Sequence, residues 1–346
     1  MTEGAADAPS RGPRIARLDA MRQWFVRRQG RVRLHSGAAA CAVAIAAGAG
    51  AAPAPADDAA AATSGHTIAV GAQARTYRLH VPKGLDAALP APLVLVFHGG
   101  GGTPEQIERE SRFSELADRE GFVVAYPAGY RRSWNDGRGA DAVAAQRDGI
   151  DDVAFVAALI DEVSAGRRID AKRIYATGIS NGAMFSHRLA LALSPRIAAI
   201  APVAGGLPQA LLAGFAPQDP VSVLVVHGTL DPLVPYGGGD VKVLASSRGR
   251  VAGAEESARR WAARDGCGAT PARDEVAADR DGCAVTRLGY AGCTRGTGVV
   301  LLRLDDGGHT WPGGSQYLPQ RLVGKVCRNL DGAALIWDFF KQHPKP

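Results

Sequence analysis

Gly178-Ile179-Ser180-Asn181-Gly182 sets a serine between two glycines, a spacing that can expose its hydroxyl for attack on a carbonyl. The chemistry that suits it is acyl transfer. That reaction also needs a base to take the serine proton, a carboxylate to orient the base, and N–H donors for the oxyanion. Downstream, in that order, stand Asp231 in Val225-Val226-His227-Gly228-Thr229-Leu230-Asp231 and His309 in Asp306-Gly307-Gly308-His309-Thr310-Trp311. Asp219 and Asp305 are alternative acids. His98 and His227 are alternative bases, although both also suit backbone groups at strand ends. The expected oxyanion donors are the main-chain N–H groups of Asn181, next to the serine, and of Gly100 in His98-Gly99-Gly100-Gly101-Gly102. That glycine run is no nucleotide-phosphate loop, because no Gly-Lys-Ser/Thr follows it. Trp134, Asn135 and Trp311 are candidate substrate contacts, with core packing an equal alternative for the two tryptophans.

Such side chains must be held by strands and turns. Apolar runs at 77–81, 93–97, 122–126, 174–177, 197–203 and 221–226, with a last one around Leu301-Leu302, read as strands. Between them Val153, Val156, Ala157 and Ile160 share a helical face, and 254–264 and 330–340 also read as helices. This alternation predicts a mostly parallel sheet with helices on both faces. Asp231 falls just past the C-terminal end of a strand, where open α/β sheets place their sites. The serine pentapeptide joins a strand-like run, 173–177, to a helix-like one, 183–193. That is the nucleophile elbow of an α/β-hydrolase fold. Two segments, 129–149 and 265–297, are long for plain connections, and loops of that kind are often functional or stapled.

The 346 residues, 46% apolar and 21% charged, are enough for a sizeable core, placed here in one catalytic domain over 67–343. Of the net charge of +6, residues 1–56 account for +5, with eight arginines against Glu3, Asp7 and Asp19. A basic excess confined to a leader removes the main support for a nucleic-acid partner. Within it a basic stretch, Arg22 to Arg33, precedes an alanine-rich apolar segment, 38–52, and Ala54-Pro55-Ala56 supplies small residues for cleavage. Residues 1–56 therefore read as a bacterial-type signal peptide with an upstream extension, Met21 being a second candidate start. Residues 57–66 read as a short flexible tether. Secretion follows, with no membrane association once the leader is removed. Four cysteines remain, Cys267, Cys283, Cys293 and Cys327, which in an exported chain suggest two disulfides with three connectivities open. They form no C-x-x-C pair and have no interleaved histidines, so no metal site is expected, and the chemistry needs no cofactor.

The runs 98–103, Trp134-Asn135-Asp136, Asp151-Asp152-Val153, 178–182, 226–231 and 307–313 together resemble the polyhydroxybutyrate depolymerase-like esterase family. That family groups secreted bacterial esterases with feruloyl and acetylxylan esterases, and the resemblance spans about 65 to 342. It implies an α/β-hydrolase with Ser180 as nucleophile, Asp231 as acid and His309 as base. It also implies a Cys267–Cys293 bridge and leaves Cys283 and Cys327 as additions that could pair with each other. After the helix carrying Trp337, Phe339 and Phe340, the polymer-binding domain that many polyester depolymerases add is not expected. The expected activity is that of a secreted serine carboxylic-ester hydrolase working through an acyl-enzyme. Its substrates would be hydroxyalkanoate oligomers, or small or polysaccharide-linked feruloyl or acetyl esters. A serine peptidase on the same fold, or an inactive binding protein on that scaffold, is the alternative.

Overall fold

The computed structural model describes residues 62–243, 246–278 and 282–346. The expected leader and residues 57–61 of the expected tether lie outside them. The chain runs β1 (Ala62–Val70), β2 (Gln73–Val81), β3 (Ala91–Phe97), α1 (Pro104–Ser111), α2 (Phe113–Glu120), β4 (Val123–Pro127), α3 (Ala144–Arg147) and α4 (Asp152–Gly166). It continues with β5 (Ile169–Ile179), α5 (Asn181–Ala192), β6 (Ala199–Val203), β7 (Ser222–Gly228), β8 (Gly238–Val243), β9 (Ser246–Ala252) and α6 (Ala254–Arg264). The last elements are β10 (Ala272–Val276), β11 (Val285–Tyr290), β12 (Val299–Leu304), α7 (Gln320–Val323) and α8 (Gly332–Gln342).

Ten strands form one sheet in the order β1-β2-β4-β3-β5-β6-β7-β12-β11-β10. The six central strands, β4 to β12 in that order, pair in parallel, and antiparallel pairs close both flanks. Every residue of β3, β4, β6 and β7 is buried, which requires cover on both faces. Alternation along β3 shows that cover. Leu93, Leu95 and Phe97 pack in one core with Phe155 and Leu159 of α4, Phe185 of α5 and Trp261 of α6. On the other face Tyr175 of β5 stacks on Phe340 of α8, and Phe122 stacks on Trp337 of the same helix. This is the α/β-hydrolase architecture. Helix α4 starts where Asp151 accepts the Ala154 N–H at 2.9 Å as its N-cap.

Two sequence expectations need correction. Residues 62–66 are no tether: they pair with 77–81 in the β1–β2 ladder, and His66 stacks on Tyr77. The segment carries few apolar residues, so its order comes from cross-strand pairing that periodicity does not reveal. The stretch 265–297 is also more regular than a loop, because β10 and β11 extend the sheet from β12. Its ends are tied by Cys267–Cys293, while Cys283–Cys327 ties the residues before β11 to the segment after α7.

Cross-linking residues 44 apart in sequence removes chain entropy from the unfolded state. The Cys283→Ala/Cys327→Ala variant should therefore lose about 2–4 kcal/mol of stability, read as a lowered urea midpoint. An unchanged midpoint would show that the bridge adds nothing the surrounding ladder lacks.

Candidate active site

The strand-to-helix turn after β5 is built from close backbone contact. A Cβ on Gly182 would fall 2.5 Å from the Phe97 carbonyl oxygen and 2.6 Å from that of His98; one on Gly178 would fall 2.7 Å from the Phe97 oxygen. Only glycine lets the turn sit so near the end of β3. Ser180, between them, is held at φ 59°, ψ −120°, a strained conformation for a residue with a side chain. Its N–H donates to the Val203 carbonyl at 3.0 Å, which pins the strained residue to β6. Ser180 thus opens into a cleft of about 970 Å³ that His309 also lines.

The glycine run after β3 abuts this turn. A Cβ on Gly99 would lie 3.5 Å from that of Ser180, and one on Gly100 would lie 3.7 Å from that of Asn181. Within the run, Gly101 N–H donates to Arg132 O (2.7 Å) and Gly102 N–H to Gly99 O (2.9 Å). The N–H groups of Gly100 and Asn181 have no acceptor among the described residues. Asn181 also begins α5, where the helix dipole favours negative charge. Two neighbouring free donors beside a serine hydroxyl can hold an oxyanion.

His98 fixes the run from behind. Its Nε2 accepts the Gly129 N–H (3.0 Å), so Nδ1 carries the proton and donates it to Gly99 O (2.7 Å). Burial lowers its pKa to about 4, so the ring is neutral. Its role is structural, as the strand-end reading allowed.

The acid and base lie past β7 and β12. Asp231 Oδ1 accepts the N–H groups of Leu233 (2.9 Å) and Val234 (2.8 Å), and Oδ2 accepts His309 Nδ1–H at 2.7 Å. His227 Nε2 donates to Val234 O at 2.9 Å and stands 3.4 Å from the same Oδ2. Burial alone would raise the Asp231 carboxyl, but His309 and His227 beside it outweigh that and hold it well below the usual carboxylate range. A fixed carboxylate on Nδ1 leaves Nε2 of His309 free to take a proton. No hydrogen bond joins Ser180 Oγ to His309 among the described residues; such contacts often tighten only when substrate is bound. The other acids are committed elsewhere: Asp219 to Arg295 and Lys345, Asp305 to Arg303.

The histidine turn is tied to the segment after α7. Gly308 N–H donates to Lys325 O (2.9 Å), His309 N–H to Val323 O (2.6 Å) and Gly313 N–H to Cys327 O (3.0 Å). Because Cys327 is in the second disulfide, that bridge braces the turn.

Trp134, Asn135 and Trp311 do not line the cleft, which corrects their reading as substrate contacts. Both indoles are fully buried. Trp134 stacks on Phe185 and donates Nε1–H to His98 O at 2.9 Å, while its main chain exchanges hydrogen bonds with the Asn181 side chain. Asn135 is spent on Asp152, Ile150 and Arg188. Trp311 packs edge-on against Phe113. Of the three, Trp134 braces the serine turn, through the Asn181 side chain. The walls instead include Ile107, Glu110, Val143, Leu233 and Tyr317, with a set of arginines. Burial pushes the Glu110 carboxyl up to about 7, partly opposed by nearby His309. None of these had a sequence signal beyond membership of a long loop or helix face. Among the described residues no group of three or more His, Cys, Asp or Glu is placed to hold a metal.

The family profile described as Esterase PHB depolymerase matches residues 75–216. A protein of Nocardia uniformis subsp. tsuyamanensis that carries the name esterase NocK is 33% identical over 290 residues, 81% of this chain and 83% of its own. Feruloyl esterase B of Piromyces equi is 28% identical over 271 residues; the match takes in 77% of this chain but only 44% of that relative. Among solved structures, the acetyl xylan esterase from Aspergillus awamori superposes with a TM-score of 0.52 at 14% identity, covering 71% of this chain and 94% of that one, a likeness of fold.

Because His98 is held neutral with a pKa near 4 rather than the ordinary 6.5, its contribution to stability is complete above about pH 6.5. It is lost as the pH falls from there toward 4. The urea midpoint should drop between pH 7 and pH 4.5. In His98→Gln the midpoint should start lower at pH 7 and drop less. An equal drop in both proteins would show that His98 does not carry the dependence.

Proposed function

We propose a mechanism for this chain from one premise: it belongs to the PHB depolymerase esterase family. The chain is accordingly a carboxylic ester hydrolase. In our reading Ser180 is its nucleophile, His309 its base and Asp231 its orienting acid. The observation that carries this is the Asp231–His309 hydrogen bond of 2.7 Å at the cleft that holds Ser180. Ser180 Oγ attacks the ester carbonyl as His309 Nε2 takes its proton, and Asp231 stabilises the imidazolium through Nδ1–H. The free N–H groups of Gly100 and Asn181 receive the oxyanion. Collapse of the tetrahedral species expels the alcohol, protonated by His309, and leaves Ser180 acylated. Water, deprotonated by the same nitrogen, then releases the acid.

The relatives named feruloyl and acetyl xylan esterase favour substrates linked to plant polysaccharide, and the family description favours hydroxyalkanoate esters. A cleft of about 970 Å³ has room for either. Export is part of the proposal: the basic and apolar leader and two disulfides suit an oxidising compartment.

Kinetics on p-nitrophenyl butyrate test the assignment. Ser180→Ala should lower kcat roughly a millionfold. Asp231→Asn, which leaves the imidazole in the wrong tautomer, should lower it about 10⁴-fold with KM little changed. A Ser180→Ala protein that kept a tenth of the activity would sink the proposed nucleophile.

A further inference from the structure

Arg109, Arg131, Arg132, Arg138 and Arg248 stand in the cleft wall against a single carboxyl, Glu110. One of these arginines is built into the wall rather than laid on it. Arg138 is 8% exposed. Its Nε lies 3.0 Å from both oxygens of Asp136, and its Nη2 lies 2.8 Å from Oδ2. Asp136 is itself fully buried and further committed to Gln146 and Asn181, so the guanidinium is clamped in one orientation. Nη1, on its other edge, is buried with no hydrogen-bond partner. Arg248, on β9, donates Nη1–H to Ala142 O at 3.1 Å, and its Nε is likewise buried and unpartnered. The two belong to one stretch of wall: a Cβ on Gly249, the next residue, would lie 3.1 Å from that of Arg138.

A buried donor left unpaired costs about 1–3 kcal/mol, and more when charged. Guanidinium groups keep their charge, and their fork of N–H donors matches a carboxylate. A neutral acceptor could satisfy the hydrogen bonds but would leave the charge of Arg248 unbalanced; no carboxylate pairs with it among the described residues. We propose that Arg248 anchors a carboxylate-binding subsite in this arginine-lined wall, and that the preferred substrates are esters carrying a free carboxylate on the part lodged against it. The inference rests on reading the cleft as the ester site. The carboxylate could be the acid end of a hydroxy-acid oligomer or a uronate on a glycan.

The test compares kcat/KM for the full chain within matched pairs. One pair is the hydroxybutyrate dimer as free acid and as terminal carboxamide; the other is acetylated xylo-oligosaccharide with and without a uronate branch. p-Nitrophenyl butyrate reports general esterase competence. The carboxylate member should be favoured by about ten- to a hundredfold in one pair, and that pair identifies the source. In Arg248→Gln the ratio should fall toward one, whereas Arg248→Lys should keep part of it. Each ratio is taken within one protein, so a general loss of fold or turnover cancels. Ratios near one in the unmodified protein, with p-nitrophenyl butyrate turned over, would overturn the subsite and leave the esterase reading standing. A preference that survives in Arg248→Gln would overturn the assignment to Arg248. No turnover of any ester would overturn the mechanism beneath it.

Discussion

The carbonyl oxygen of Phe97 occupies the space where a side chain on Gly178 or Gly182 would begin. That contact between the end of β3 and the turn after β5 is what the candidate site depends on. It brings two loops from neighbouring strands so close that a Cβ on Gly100 would lie 3.7 Å from that of Asn181, the two residues whose N–H groups are free. It also forces Ser180 into a positive φ, a strain of order 1–3 kcal/mol that the surrounding packing must offset. Trp134 supplies much of that packing. It joins the carbonyl of His98, the ring of Phe185 and the side chain of Asn181, thereby tying the glycine run to the helix after the serine.

A second layer works through charge. Asp231 is buried, yet three donors converge on its two oxygens with His227 close by, and its negative charge is what fixes the His309 ring. His227 serves here as a brace, with Nε2 shared between Val234 O and the neighbourhood of Oδ2. The histidine turn has its own support in the ladder to 323–327 and the disulfide behind it. Serine and histidine are therefore positioned by independent parts of the fold, β5–α5 and β12–α7, and meet only across the cleft.

The central sheet was legible because its strands are continuous apolar runs; the run 93–97 ends with β3, while those ending at 177 and 226 stop two residues short of the ends of β5 and β7. The serine, aspartate and histidine were legible because each sits one turn past such an end. Their local patterns, with glycines before or after them, reflect backbone contacts now visible at Gly178, Gly182, Gly307 and Gly308. The edges were harder. Strands β1, β10 and β11 are mixed in composition, and their existence depends on pairing with the next strand along the chain, β2, β11 and β12 respectively. The cleft walls were least legible. Whether Trp134 faces a substrate or a core, and whether Arg138 is solvated or clamped, is decided by tertiary contacts such as Asp136 and Phe185, which spacing in the chain cannot report.

The claim at the centre is that Ser180 is a nucleophile activated by the His309–Asp231 pair. Labelling the intact protein with a fluorophosphonate and mapping the adduct by peptide mass spectrometry tests it most directly. One equivalent on Ser180, formed much more slowly when Asp231 is replaced by Asn, is the result predicted. Turnover of esters by a protein that takes no label, or an adduct on another residue, would contradict the account.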